Sequence, residues 1–368
     1  MKILFLPVLQ IPTGHHAVAD SLIRSIESRV KNIECKKVDI FSYGNEKFEK
    51  RLRVAYLAWI RFLPKSYGYV YLKSMHSNKS KRKFKIVERV FLKKMKKLLK
   101  NENPDLIVCT SSIPSYIVDS LRETGVKTAP VLNVYTDFWA NNLWGLRNTE
   151  FHYVTDRNFK EELTKNQAVD PEKITVTGIP VDECFLEHVK KDPNADKRQV
   201  LISGGSTGLG GIKKIISHLM LEGSSSYSFV VLCGNNKNLY EKISDLKMDN
   251  VKPLAYVSSC DKMNEIYDSS HAIITKPGGV TVSECLHKRL PIFICSSLPG
   301  QEEINKDYLG KKELVYDIDL DRSIIAQLDV FFEDLVEQEN WEVRVDEYLS
   351  EIESPAWKEL LKLTEHID

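Results

Sequence analysis

The sequence predicts an α/β fold built from two doubly wound domains, and three observations predict it. The chain has 368 residues, more than one ordinary core accommodates. Short β-branched runs alternate with helix-period segments throughout, the pattern of βαβ units around a mainly parallel sheet. The pattern weakens over residues 181–197 and then starts again with the same opening of strand, glycine turn and helix. The implied domains are residues 1–180 and 198–368, with the last helix placed to pack back on the first domain. Two such domains facing a cleft would bind ligands at the C-terminal edges of their strands.

The elements follow in order. KILFLPVL reads as a buried strand and not as a signal peptide, because Pro7 and Gln10 interrupt the apolar run and no small-residue cleavage site follows. A helix is expected from about His15 to Val30. IECKKVDI, DLIVCTS and TAPVLNVYT are further strands, with a helical segment between the last two. EHVKKDPNADKRQ is charged and turn-forming, and serves as the linker. RQVLIS, SFVVLCG, VKPLAYV, HAIITKPGG and LPIFICS then supply the second sheet, and residues 323–366 read as helical.

Composition narrows the class. With 42% hydrophobic and 28% charged residues, the chain is that of a folded soluble protein. No apolar run approaches the roughly 18 residues of a spanning helix. Seven cysteines, an odd count without any CxxC, point to free thiols in a reducing cytosol and away from a disulfide frame or a zinc site. The net charge of +1 hides an asymmetry: residues 1–180 carry 31 Lys and Arg against 18 Asp and Glu, residues 181–368 carry 21 against 33. The excess peaks in KSKRKFKIVERVFLKKMKKLLK, residues 79–100, with 11 basic residues and one acid. Phe84, Val87, Phe91, Met95 and Leu98 recur there at helical spacing. A surface helix with its stripe on the core accounts for the apolar residues. The lysine density points to an anionic membrane surface, and so to a cytoplasmic protein peripheral to the membrane. No recognised nucleic-acid motif accompanies the basic run.

Five stretches carry chemistry. In ITKPGGVTVSECL, a strand ends at Lys276, Pro-Gly-Gly turns, and a helix begins near Val280. Its N-terminus offers unpaired N–H groups and a positive dipole to a diphosphate. Glu284, one turn in, suits a ribose diol; an ordinary strand-to-helix turn with a surface Glu is the other account. GGSTGLGG, opening with Gly204, Gly205 and Ser206, is neither a P-loop nor G-x-G-x-x-G, since Lys213 stands where the last glycine belongs. It reads as a phosphate- or sugar-facing turn. DIDLD has the D-x-D pattern of some metal sites, but Asp321 fits an N-cap better. YTDFWANNLWG crowds Trp139 and other aromatics around Asp137 at a strand end, as a ligand site or a helix cap. IPTGHHAVAD places Gly14, His15 and His16 at the first strand-to-helix turn, and residues adjacent on a helix point about 100° apart, so one histidine at most faces a ligand.

Together GHHAVADSL, TDFWANNLW, YVTDRNFKEEL, TGIPVDECF, GGSTGLGG, and TKPGGVTVSECL followed by LPGQEEIN resemble glycosyltransferase family 28. The nearest branch is that of the monogalactosyldiacylglycerol synthases and the processive diacylglycerol β-glucosyltransferases. The resemblance implies a GT-B fold, a UDP-sugar donor in the C-terminal domain, a lipid acceptor such as diacylglycerol at the N-terminal domain, and inversion without a metal or other cofactor. By position it implies that Gly278, Gly279, Val280 and Thr281 face the diphosphate, with Lys276 adding charge. It gives Glu284 the ribose, the backbone at Tyr256 and Val257 the uracil, and Gln301 and Glu302 the sugar, with Asn305 in support. His15 would be the base or orienting group, with Asp137 as partner or rival. Gly14, His16, Trp139 and Asn141 would lie on the acceptor side. Departures from the pattern gather on that side: Pro12 and Thr13 precede Gly14, Asn141 replaces a histidine, and Val181 and Asp182 replace Ile-Arg. A UDP-sugar 2-epimerase of the same fold, or a UDP-sugar-binding regulator without turnover, are the alternatives.

Overall fold

The computed structural model describes residues 1–8, 13–43, 54, 66, 85–192, 195, 197–205, 211–222 and 226–367. Ser206, residues 79–84 and the turn residues Ile11 and Pro12 lie outside them. The chain divides into two compact units: Met1–Val181 with Pro299–Gln301 and Glu351–Asp368, and Asp182–Leu298 with Glu302–Ser350.

The first unit runs β1 (Lys2–Leu6), α1 (Gly14–Glu27), β2 (Glu34–Lys37), α2 (Lys85–Glu102), β3 (Leu106–Cys109), α3 (Ser112–Glu123), β4 (Val131–Val134), β5 (Phe151–Val154), α4 (Arg157–Gln167) and β6 (Ile174–Val176). Its strands form one sheet in the order β2-β1-β3-β4-β5-β6, every pairing parallel. Ile3 to Leu6 are buried on both faces, as a central parallel strand requires. Helix α1 buries Val18, Leu22, Ser25 and Ile26 at helical spacing. Helix α2 turns Phe91, Met95 and Leu98 into the core and leaves Arg89, Lys93, Lys96, Lys97 and Lys100 exposed. Strands β5 and β6 have no counterpart in the sequence reading. They are four and three residues long.

The second unit runs β7 (Arg198–Ser203), α5 (Ile212–Glu222), β8 (Tyr227–Leu232), α6 (Lys237–Asp245), β9 (Val251–Leu254), α7 (Cys260–Ser269), β10 (Ala272–Thr275), α8 (Gly279–His287), β11 (Ile292–Ile294), α9 (Gln301–Lys311), β12 (Tyr316–Asp317), α10 (Ile324–Phe332) and α11 (Leu335–Ser350). Its sheet is again parallel, in the order β12-β11-β10-β7-β8-β9. Residues 351–368 belong to the first unit. Glu353 accepts from Val176 N at the end of β6, and Trp357 of α12 (Ala356–Ile367) lies under the Arg29 guanidinium at 4.1 Å.

Several expectations need correction. Cys184 and Cys260 form a disulfide, because the short 3-10 turn Glu183–Phe185 packs on the start of α7. Spacing rules look for local pairs and miss two cysteines 76 residues apart. That turn also gives part of the expected linker defined structure. Asp321 caps nothing: Ser323 is the N-cap of α10, and Asp321 pairs with Lys214 at 2.6 Å. Asp137 caps no helix either, since residues 135–150 contain none.

Candidate active site

Each sheet has one point where the strand order reverses, and His15, Gly204, Gly205, Lys276 and Gly278 stand at these two points. In the first sheet β1 connects to β2 on one side, and β3 lies on the other. Ligands of open α/β sheets bind outside such a switch point, at the strand C-termini. His15 stands there, in the first turn of α1. Its carbonyl accepts from Thr110 Oγ1, just past β3, at 3.0 Å. Its Nδ1 lies 2.9 Å from Thr136 Oγ1, just past β4. His15 is thus tied to two strand ends, through its backbone to the end of β3 and through its ring to the end of β4. Burial lowers its pKa from the ordinary histidine value, and the charge of Asp137 opposes that shift. A neutral imidazole near pH 7 follows, which suits a proton acceptor. Asp137 in turn accepts from Gln301 Nε2 at 2.6 Å. Gln301, expected on the donor sugar, belongs to the first unit and is engaged there by Asp137.

In the second sheet the order reverses between β7 and β10. Gly204 and Gly205 follow β7; Lys276, Pro277 and Gly278 follow β10. Gly205 adopts φ +74°, and a side chain on it would meet Lys276 Cε at 3.8 Å, so the two glycine turns lie side by side. Helix α8 begins at Gly279, with no side-chain cap and no acid in its first turn. Such an end leaves N–H groups and positive dipole for an anion. A Cβ on Gly278 would meet nothing within 4 Å, so the turn has open space on that side. Val280 is buried and Thr281 partly exposed. Asn305 is fully buried and donates to Pro277 O at 3.1 Å, holding the turn from behind.

Two side chains here have partners that the sequence did not point to. Lys276 pairs with Glu302 at 2.8 Å, and Glu302 also accepts from Leu298 N at 2.7 Å. With its charge matched by Glu302, Lys276 orders the turn as much as it adds positive charge. Glu284 is buried enough for its pKa to rise to about 7, opposed by a hydrogen bond from Tyr267 and reinforced by Asp182. Tyr256 is exposed and Val257 partly so, in the irregular stretch after β9.

The acceptor-side residues divide. Gly14 opens α1, and Thr13 O accepts from His16 N at 3.0 Å. Trp139 is partly buried in the β4 connection. Asn141 is engaged within that loop and with the start of α3: its Oδ1 accepts from Leu143 N at 2.9 Å and its Nδ2 donates to Ser112 Oγ at 3.3 Å. The sequence reading missed Thr110, Thr136 and Tyr267. Thr110 directly follows β3 and Thr136 stands two residues past β4, and a polar residue near a strand C-terminus was the available signal. Tyr267 gave none, since its partner lies on another helix.

Among the described residues, one group of three could gather around a metal ion, Asp182, Cys184 and Cys260, and there the two sulfurs are bonded to each other. Two of the three acids of DIDLD are met by lysines, Asp317 by Lys306 at 2.9 Å and Asp321 by Lys214, while Asp319 Oδ1 accepts from Asp321 N at 2.8 Å.

Comparison with known proteins agrees with this fold. Residues 15–181 match the monogalactosyldiacylglycerol (MGDG) synthase family, and residues 199–340 match the glycosyltransferase family 28 C-terminal domain. The chain is 36% identical over 366 residues to the uncharacterized glycosyltransferase YkoN of Bacillus subtilis (strain 168), covering 98% of this chain and 96% of that protein. It is 31% identical over 265 residues to the processive diacylglycerol beta-glucosyltransferase of Bacillus pumilus, covering 65% of this chain and 67% of that one. Among solved structures, Acinetobacter baumannii MurG superposes with a TM-score of 0.63 at 14% identity, covering 99% of both chains. That likeness speaks for the GT-B fold. The two parallel sheets, the family models in series along the chain and the near full-length relative place this protein in glycosyltransferase family 28, a family of sugar-transferring enzymes.

Proposed function

We propose that the enzyme moves a hexose from a UDP-sugar to a hydroxyl of a membrane lipid of the diacylglycerol class, with inversion. The observation that carries this reading is the anchored imidazole of His15 at the first switch point. With a proton on Nδ1 donated to Thr136, Nε2 keeps its lone pair for the acceptor hydroxyl. That oxygen attacks the anomeric carbon as the bond to UDP breaks, and the proton passes to Nε2. Asp137 stabilises the imidazolium that forms. The leaving diphosphate is taken by the N–H groups at the start of α8 and by the Gly204–Gly205 turn, a preorganised electrostatic contribution of the kind usually largest in catalysis. Glu284 holds the ribose. The reading requires no resident metal, so transfer should continue in EDTA.

The exposed lysines of α2 complete the reading: they fit the headgroups of an anionic leaflet, and so a peripheral site on the cytoplasmic face of the membrane. Among the described residues no helix is long and apolar enough to cross a membrane. Each basic residue near such a surface contributes about 1 kcal/mol. Replacing Lys93, Lys96, Lys97 and Lys100 by Glu should weaken sedimentation with phosphatidylglycerol vesicles by about 100-fold or more. Unchanged sedimentation would remove the membrane assignment.

The direct test is a panel of radiolabelled UDP-hexoses with vesicles containing diacylglycerol. Labelled glycolipid is expected with one of them. Epimerised nucleotide without glycolipid would favour the 2-epimerase, and UDP binding without turnover on any lipid would favour the regulator.

A further inference from the structure

The glutamate assigned to the ribose is held by a neighbour. Tyr267 on α7 is buried, and its hydroxyl donates to Glu284 Oε2 at 2.7 Å. One oxygen of the carboxylate is therefore engaged from within the protein, while the side chain as a whole stays partly exposed. The tyrosine is itself fixed. Its ring packs edge-on against Phe185, with centroids 5.4 Å apart and planes at 74°. Phe185 ends the 3-10 turn whose Cys184 is joined to Cys260, the first residue of α7. Helix α7 and that turn are thus linked twice, once by a covalent bond and once by ring packing. The hydroxyl that reaches Glu284 comes from a braced element.

We propose that Tyr267 is a positioning residue for nucleotide binding: its hydroxyl holds the Glu284 carboxylate so that Oε1 faces the ribose diol. This rests on the reading of Glu284 as the ribose-binding group. A carboxylate left to choose among rotamers would have to be ordered at each binding event, at a cost in affinity. The hydroxyl also favours the ionised acceptor. Burial raises the Glu284 pKa, the charge of Asp182 adds to the rise, and the Tyr267 hydrogen bond opposes it. The titratable groups around the carboxylate are Tyr267 from α7, Asp182 from the segment before the turn, and Cys285, the next residue of α8, whose thiol also meets the Tyr267 hydroxyl. Without the hydroxyl the pKa rises further, and the pH below which ribose loses its acceptor moves up with it.

The test is calorimetric titration of the full-length protein with UDP between pH 6 and 9, for wild type, Tyr267→Phe, Glu284→Ala and the double variant. Phenylalanine keeps the ring against Phe185, and the melting temperature without ligand controls for folding. At pH 8, Tyr267→Phe is expected to weaken UDP binding about tenfold, the scale of a hydrogen bond to a charged group. The pH at which affinity is half lost should rise, and the substitution should have no added effect beside Glu284→Ala. Wild-type affinity in Tyr267→Phe, with weakened binding in Glu284→Ala, would overturn the positioning role. So would an equal loss at every pH and in both backgrounds, the signature of a merely structural contact. If Glu284→Ala itself binds UDP as wild type does, the ribose reading falls first.

Discussion

The two switch points are built from different parts of the chain. At the first, side chains do the work: His15, Thr110, Thr136 and Asp137 stand on or beside three strand ends and are tied to one another or to Gln301. At the second, backbone predominates: two glycine turns and the uncapped start of α8, backed by Asn305 and a matched Lys276–Glu302 pair. On the proposed reaction, the difference teaches what each half needs. Taking a proton requires one titratable atom held at one place and kept uncharged. Receiving a leaving polyanion requires many N–H groups and room, which side chains would fill. Glycine therefore recurs at one point, while histidine and threonine side chains predominate at the other.

The largest effect should come from breaking the first point alone. His15→Ala is expected to lower the transfer rate by about 10²–10⁴-fold, the contribution of a positioned general base, with UDP affinity within about twofold of wild type. A loss under about tenfold would mean that another group, Asp137 foremost, is the base. The second point is broken by Gly278→Ala. The backbone there has an ordinary φ of −77° and open space where the methyl would go, so the melting temperature should hold. UDP affinity should fall by roughly tenfold, about 1.4 kcal/mol; unchanged affinity would place the diphosphate elsewhere. Thr136→Val sharpens the division with a smaller change. It frees Nδ1 of His15 and should cost about three- to tenfold in rate, the scale of one neutral hydrogen bond, with no effect on UDP binding.

The two points should also titrate apart. Glu284 must be ionised to accept from ribose, so UDP affinity should decline as pH falls through about 7. His15 must be neutral to take a proton, and burial holds its pKa below the ordinary histidine value. The turnover limb under saturating donor should therefore lie lower than the binding limb. Coincident limbs would mean that one group controls both.

How much of this was legible in the sequence varies with the kind of signal. The alternation of strands and helices was visible because period and β-branched runs are local. Only short strands such as β5 and β6 escaped. The start of α8 was legible to within a residue, since Pro-Gly-Gly fixes where a strand must turn and a helix begin. His15 was legible by its place after Gly14. Its partners were not: Thr136 is 121 residues away and Thr110 is 95. The Cys184–Cys260 bond was hidden for the same reason, and an odd cysteine count argued against it.

By itself, then, the sequence determined where strands end, where helices begin and which residues stand at those junctions, because backbone dihedrals and hydrophobic period are set within a few neighbours. Only the tertiary structure decided that β3 and β4 follow β1 in one sheet and that β10 lies beside β7 in the other. Strand order chooses which C-terminal ends become neighbours. That choice gave His15 its threonines and set Gly205 beside Lys276, and helix packing gave Glu284 its tyrosine.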